Sequence, residues 1–312
     1  MPVLGIDIGG TKLAVGVVDT DGRILARGET PTLATEGPSR VLDRTVQLAK
    51  DTLGRAGIAM GAISRVGLAC AGPVDREKGL VLNPPNLPGW TRVKLVEHFE
   101  RELGCPAILE NDANAAALGE FRFGAGRGAQ SLVYLTVSTG IGGGIILGGR
   151  LWHGLKDGAG EVGHMTLAPE GPLCGCGNRG CLEALASGPA IARQARKALG
   201  SERPSRLREI QDITAADVSR LAQEGDAVAS EVWEHALAYL GLGVAALITI
   251  LAPERIVIGG GVAEAGDHFF EPLRLHVRRR VRLVAVESVP ILPAALGRDV
   301  GILGAAAVAF GS

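Results

Sequence analysis

Two stretches of this chain read alike, and the pair constrains the fold more than any other feature. LGIDIGGTKLAVGVV near the N-terminus and YLTVSTGIGGGIILG near the middle each run apolar strand, Gly/Thr-rich turn, apolar strand. An internal duplication of this kind implies two related α/β lobes, each offering a glycine turn to a shared cleft. A chain of 312 residues also exceeds what one hydrophobic core usually supports. RIVIGGGVAEAG adds a third strand followed by a glycine turn.

The remaining segments fit that alternation. A hairpin is expected to turn at Asp21-Gly22, an amphipathic helix to run over 39–57, and SRVGLACAG to be another buried strand. PAILENDANAAALGEF reads as strand, turn and alanine-rich helix, and 184–252 as mostly helical with polar breaks near 201–206 and 224–226. The apolar run from Ala236 to Ala252 is at the lower limit for a membrane span and is closed by Pro253-Glu254-Arg255, so it reads as a core helix. No signal peptide is read at the N-terminus, and a cytoplasmic location is expected, where thiols stay reduced. A formal net charge of -1 gives no general field for nucleic acid or membrane. The cluster Arg274, Arg278, Arg279, Arg280 and Arg282 reads as a solvated helix face.

Three motifs carry chemistry. In DIGGTK, Asp7 ends a strand and Gly9, Gly10, Thr11 and Lys12 follow; backbone N–H groups in such a turn can surround phosphate oxygens, with Lys12 adding charge. STGIGGG, with Thr139 and Gly140, can do the same, and Gly259, Gly260 and Gly261 form a third glycine turn. The bland alternative is a set of ordinary hairpin turns. GxxxxGK[ST] is absent, and the GxGxxG spacing at 175–180 lies inside a cysteine cluster rather than at a strand-to-helix turn, so neither nucleotide signature applies. Asp112 in LENDANAAALGE stands where a catalytic carboxylate or a helix N-cap would sit, with Asn111 beside it as a partner for a hydroxylated substrate.

The third motif gathers His164, Cys174, Cys176 and Cys181 within eighteen positions. Three thiolates and an imidazole match a closed tetrahedral zinc site, the alternative being a reduced buried set without metal. Glu161 and Glu183 flank the cluster as surface groups or as acceptors for sugar hydroxyls, while Cys70 and Cys105 lie in apolar contexts and read as core.

DIGGTK, CAGPVD, NPPNLPGW, ENDANAAALGE, STGIGGGII, GEVGHM, CGCGNRGCLE and GGGV, in that order, resemble the ROK family of repressors and sugar kinases, most closely its bacterial glucokinase branch. The resemblance spans essentially the whole chain. It implies an actin/hexokinase-like (ribonuclease H-like) fold of duplicated α/β lobes, one of residues 1–118 plus 300–312 and one of residues 119–299 carrying a zinc knuckle. It implies ATP as phosphoryl donor, Mg²⁺ on the phosphates and a structural Zn²⁺. Carried over by motif, Asp112 is the general base on the sugar 6-hydroxyl; Gly72, Asn111, Glu161, His164 and Glu183 meet the sugar. Gly10, Thr11, Lys12, Thr139 and Gly140 cradle phosphates, Gly259 to Gly261 face the adenosine, and Asp7 holds Mg²⁺ through water. His164, Cys174, Cys176 and Cys181 are the zinc ligands, with the second ring nitrogen of His164 turned to the sugar.

Glucose is the sugar expected, with N-acetylglucosamine, N-acetylmannosamine and fructose as alternatives. A sugar-responsive repressor of the same family is the competing class. It needs an added helix-turn-helix, for which no pattern precedes the first strand at Val3. A small-molecule sugar partner, no nucleic acid, no membrane, and a homodimer or homotetramer are expected.

Overall fold

The computed structural model describes residues 1–200 and 202–311. In chain order the strands are β1 (Val3–Ile8), β2 (Lys12–Val18), β3 (Ile24–Pro31), β4 (Val66–Cys70), β5 (Val74–Asp75), β6 (Leu80–Val81), β7 (Val93–Lys94), β8 (Ala107–Asn111), β9 (Leu132–Val137), β10 (Ile141–Leu147), β11 (Arg150–Leu151), β12 (Arg255–Gly259) and β13 (Ile291–Pro293). The helices are α1 (Pro38–Ala56), α2 (Leu95–Leu103), α3 (Asp112–Phe123), α4 (Leu182–Ala186), α5 (Gly188–Ala198), α6 (Ala215–Gln223), α7 (Ala227–Leu251), α8 (Asp267–Arg280) and α9 (Val300–Phe310).

The duplication read in the sequence is present in the topology. One five-stranded sheet has the order β3-β2-β1-β4-β8 and the other β11-β10-β9-β12-β13. The two orders match strand for strand, and a short third sheet joins β5, β6 and β7. In the first sheet β1 pairs antiparallel with β2 and parallel with β4, which in turn runs parallel to β8. In the second, β12 lies parallel to both β9 and β13.

The chain forms two compact units. One holds Met1–Gln130, Gly144–Ala159 and the chain from Ala295 on; the other holds Ser131–Gly143 and Gly160–Ala294. These limits differ from the expected 118 and 299. A cut at 118 would divide α3, whose residues from Asp112 to Phe123 form one continuous helix. Residues 144–159 also return to the first unit, an excursion that sequence order alone does not reveal.

In the first unit the sheet is covered on both faces. Leu4, Ile6 and Ile8 of β1, Leu13, Val15 and Val17 of β2, and Val66, Leu68 and Cys70 of β4 join one core with α1 and α2. α1 supplies Val41, Leu42, Val46, Ala49 and Leu53, the helical spacing of one apolar stripe. The opposite face holds a row of glycines: Gly16 pairs with Gly5, and Gly5 with Gly67. A Cβ at Gly5 or Gly67 would overlap the carbonyl oxygens of Ile302 and Ala305, and one at Gly16 would overlap the Ile302 side chain. The row therefore lets α9 lie on the sheet backbone itself.

In the second unit the expected core helix is α7, longer than the apolar run because it begins at Ala227. Among the described helices it is long and apolar enough to cross a membrane, yet half of its apolar window is buried inside the protein, against α4, α5, α6 and α8. The arginine-rich face belongs to α8. Arg274 is partly packed there, donating to the Ile291 carbonyl and pairing with Glu271, while Arg278, Arg279 and Arg280 are exposed; Arg282 is exposed too but lies beyond the helix, which ends at Arg280.

Candidate functional site

The parallel strands β1, β4 and β8 end side by side, with Ile8 opposite Cys70 and Cys70 opposite Asn111. Ligand sites in open α/β sheets gather at the carboxyl ends of such strands. Three of the sequence motifs meet this edge. The turn after β1 is closed by Gly9 N–H donating to the Lys12 carbonyl at 3.0 Å, and the Thr32 hydroxyl holds the Gly9 carbonyl at 2.7 Å. Gly10 lies so close to Asn86 of the NPPNLPGW motif that a Cβ would stand 2.8 Å from the Asn86 carbonyl oxygen. The Lys12 ammonium is 3.5 Å from Glu29, which also pairs with Arg27, so its charge is partly engaged on the neighbouring strand. Thr11 is exposed at the tip of the turn.

No turn separates β8 from α3; Asn111 ends the strand and Asp112 begins the helix. Asn111 is the N-cap, its Oδ1 accepting from Ala113 N at 3.0 Å and Asn114 N at 3.2 Å. Its amide nitrogen is packed against Gly72, where a Cβ would come within 2.8 Å. Asp112 is therefore not the cap. It is the first helical residue, and its Oδ1 accepts from Ala113 N at 2.9 Å. Negative charge there is favoured by the helix dipole.

Asp7 lies on the α9 face of β1, against Gly301 in the first turn of that helix. Burial, then the nearby Asp112 charge, push its carboxyl up to about 7, with Lys12 pulling the other way. Asp7 is half-buried and Asp112 exposed, and like charges near one another resist joint ionisation.

The sequence reading missed Glu110. It is 2 % exposed. One oxygen accepts from Asn111 N (3.0 Å) and Asn114 Nδ2 (3.1 Å); the other faces His153 Nε2 (2.9 Å) and Arg76 Nε (2.7 Å). Arg76 also reaches Asp157 at 3.5 Å. An acidic residue at the end of an apolar strand was the available signal, but its partners come from distant segments.

In the second unit, one ligand atom from each of His164, Cys174, Cys176 and Cys181 lies within 4.8 Å of all the others. Cys176 Sγ is 3.7 Å from Cys181 Sγ, and Cys174 Sγ 3.7 Å from His164 Nδ1. A tetrahedral ion with bonds of about 2.3 Å to sulfur spaces its ligands at about 3.7 Å, so the set fits zinc. Burial and then the neighbouring thiols push the Cys181 thiol up to about 12, which is the condition a bound cation relieves. With Nδ1 turned to the cluster, His164 Nε2 is left facing Glu161 at 3.9 Å. Glu183 joins the cluster to the β9–β10 turn. Its Oε1 is 3.8 Å from Cys174 Sγ and its Oε2 accepts from Ile141 N at 2.9 Å. A Cβ at Gly140 would stand 2.6 Å from that carboxylate.

Thr139 and Gly261 line one cavity of about 450 Å³, together with Pro189, Ala192 and Arg196 of α5 and Thr214 at the start of α6. Gly259 ends β12, and Gly260 follows it just before the lining residue Gly261. Gly260, at φ 89°, passes too close to the Val137 backbone to admit a side chain. Sequence reasoning found the glycine turns but not the α5–α6 wall, which carries no motif. The chamber is large enough for a nucleoside, being within the usual range of ligand pockets.

The twin sheets place the protein in the actin/hexokinase-like class of α/β folds. Residues 3–311 match the ROK family, and the chain belongs to it. A glucokinase of Thermotoga maritima is 38% identical over 99% of this chain and 97% of its own length. An N-acetylmannosamine kinase of Shigella flexneri is 34% identical over 100% of this chain and 99% of its own. Among solved structures, a ROK hexokinase from Thermus thermophilus matches at a TM-score of 0.87 and 41% identity, covering 99% of this chain and 98% of that one. A ROK family glucokinase from Streptomyces griseus, in complex with glucose and AMPPNP, matches at 0.83 and 34% over 100% of both chains. Kinship of this extent makes the protein a sugar kinase of that family.

Proposed function

We propose that the protein transfers the γ-phosphoryl group of ATP to the 6-hydroxyl of glucose, with Asp112 as general base. The observation that carries this reading is the division of labour at the start of α3: Asn111 does the capping, so the helix does not require an acid at Asp112. The carboxylate accepts the hydroxyl proton as the oxygen attacks, and because such transition states are loose, holding that oxygen in line matters as much as basicity. The glucokinase complex with glucose and AMPPNP supports both the sugar and the donor.

Asn111 Nδ2 remains to donate to a sugar oxygen, since Oδ1 is committed to the helix. Glu161, His164 and Glu183 are the further hydroxyl partners in this reading. His164, Cys174, Cys176 and Cys181 would hold zinc, which would supply a rigid cross-link fixing the imidazole in one orientation. The adenosine occupies the 450 Å³ cavity of the second unit, and the backbone amides of Thr139 and Gly140 meet phosphate; Gly10 and Thr11 are the phosphate candidates of the first unit. Magnesium on those phosphates would neutralise their charge, and Asp7 is the residue assigned to hold it through water.

The N-acetylmannosamine kinase at 34% identity favours a second substrate reading, in which the sugar carries an acetamido group. A coupled ATP assay over glucose, mannose, fructose, N-acetylglucosamine and N-acetylmannosamine separates the two. Highest kcat/KM on glucose is expected, with 6-deoxyglucose inert for want of the accepting hydroxyl and 2-deoxyglucose markedly poorer, because polar grips left unpaired reject the deoxy analogue. A higher kcat/KM on an N-acetyl sugar would overturn the glucose assignment and leave the kinase.

A further inference from the structure

Glu110 is a buried charge with no part in the proton transfer, yet it borders the residue that has one. Its two oxygens face opposite ways in function. Oε1 bonds Asn111 N and Asn114 Nδ2, the residues that bracket Asp112 on either side. Oε2 meets Arg76, beside the β5 strand, and His153, in the segment that follows β11. Arg76 is in turn fixed by Asp157, whose Oδ2 accepts from Arg76 N at 3.3 Å and whose Oδ1 stands 3.5 Å from Nη1.

Burying a carboxylate carries a desolvation cost that pairing must offset, and a well-packed apolar group of similar size often does as well for stability. The helix start is already capped by Asn111. The β8–α3 junction has no loop to absorb error, so the bonds on Asn111 and Asn114 set where the first helical residue points. The geometry points to Glu110 as a positioning residue for phosphoryl transfer: it fixes the Asp112 carboxylate through Asn111 and the first turn of α3, and His153 and Arg76 hold Glu110 in place. This rests on the reading of Asp112 as the base.

The test is a set of steady-state and melting measurements on the full chain. Glu110→Gln keeps the shape but presents an amide to two donors. Its kcat is expected to fall about 10–100-fold, the scale of a misplacement of about 1 Å, with the ATP KM little changed. Added to Asp112→Asn, the same change should cost almost nothing more, because residues acting through one group are not additive. His153→Gln retains a donor toward Glu110 and should keep most of the activity that His153→Ala loses. Glu110→Gln within twofold of wild type while Asp112→Asn is inactive overturns the proposal and spares the general base. Losses that multiply in the double variant also overturn it. An active Asp112→Asn overturns both readings. If Glu110→Gln fails to fold, equal activity of the two His153 variants is the overturning result, since His153 is partly exposed and its replacement leaves the core intact.

Discussion

Asp112→Asn separates chemistry from architecture at one atom. Asn111 Oδ1 keeps its bonds to Ala113 N and Asn114 N, and the new amide oxygen can still accept from Ala113 N, so α3 starts as before. The substitution also removes a charge facing Asp7, whose carboxyl is pushed up to about 7 by burial first and by Asp112 second. Stability is therefore expected to be unchanged or slightly higher, most visibly above pH 7, where Asp7 ionises. Loss of a general base costs about 10²–10⁴-fold in rate, or about 2.7–5.4 kcal/mol on the barrier. The assay is kcat and both KM values by coupled spectrophotometry, with a calorimetric sugar titration and a melting curve on the same preparation. The expected pattern is a kcat at least about 100-fold lower, with sugar affinity, metal content and Tm nearly constant. A variant that keeps more than about a tenth of wild-type kcat would refute the reasoning and leave Asp112 a helix-dipole residue.

Purified protein should contain about one zinc per chain, as one Cys₃His set implies. Cys176→Ser should lose it, lower Tm and weaken sugar binding; full activity in a metal-free preparation would contradict this. Asp7 should make stability depend on pH. Its carboxyl is raised from 3.8 to about 7, so its contribution is full below about pH 4 and is lost as pH rises through about 7. The slope is at most about 1.4 kcal/mol per pH unit, and Asp7→Asn should flatten the Tm profile over that window in cation-free buffer; an unaltered slope refutes the assignment. Gly67→Ala places a Cβ on the Ala305 carbonyl and should cost at least about 1–3 kcal/mol, the range for overpacked cores. A melting curve that matches wild type would show that α9 can move away freely.

The fold was legible where local pattern and tertiary role coincide. The buried strands β1, β4, β9 and β12 each end at a glycine turn, and the likeness of the first and third of these foretold two related lobes, to which the matching strand orders of the two sheets correspond. The unit boundaries were not legible, because residues 144–159 belong with the first unit through contacts that no period or propensity records. The four-ligand cluster was legible for the opposite reason: its spacing is itself the chemistry. At the start of α3, Asn and Asp cap equally well, so only the hydrogen bonds of Asn111 could assign the two roles. Glu110 was invisible because His153 and Arg76, the groups that give its charge a purpose, are brought to it by the fold.

The glycine motifs show how one signal can carry two causes. Read as sequence, DIGGTK and STGIGGG offer bare backbone amides to phosphate. In the folded chain Gly10 also makes room for Asn86, and Gly140 for the Glu183 carboxylate, which spans from the thiol cluster to Ile141 N. A side chain at Gly140 would therefore disturb Glu183, a sugar-binding candidate. Binding measurements can tell the causes apart. A substitution at Gly140 that acts through Glu183 weakens sugar in the absence of nucleotide, whereas one that acts through the amides weakens nucleotide in the absence of sugar. The 2.6 Å approach of a Cβ to the Glu183 carboxylate predicts the first.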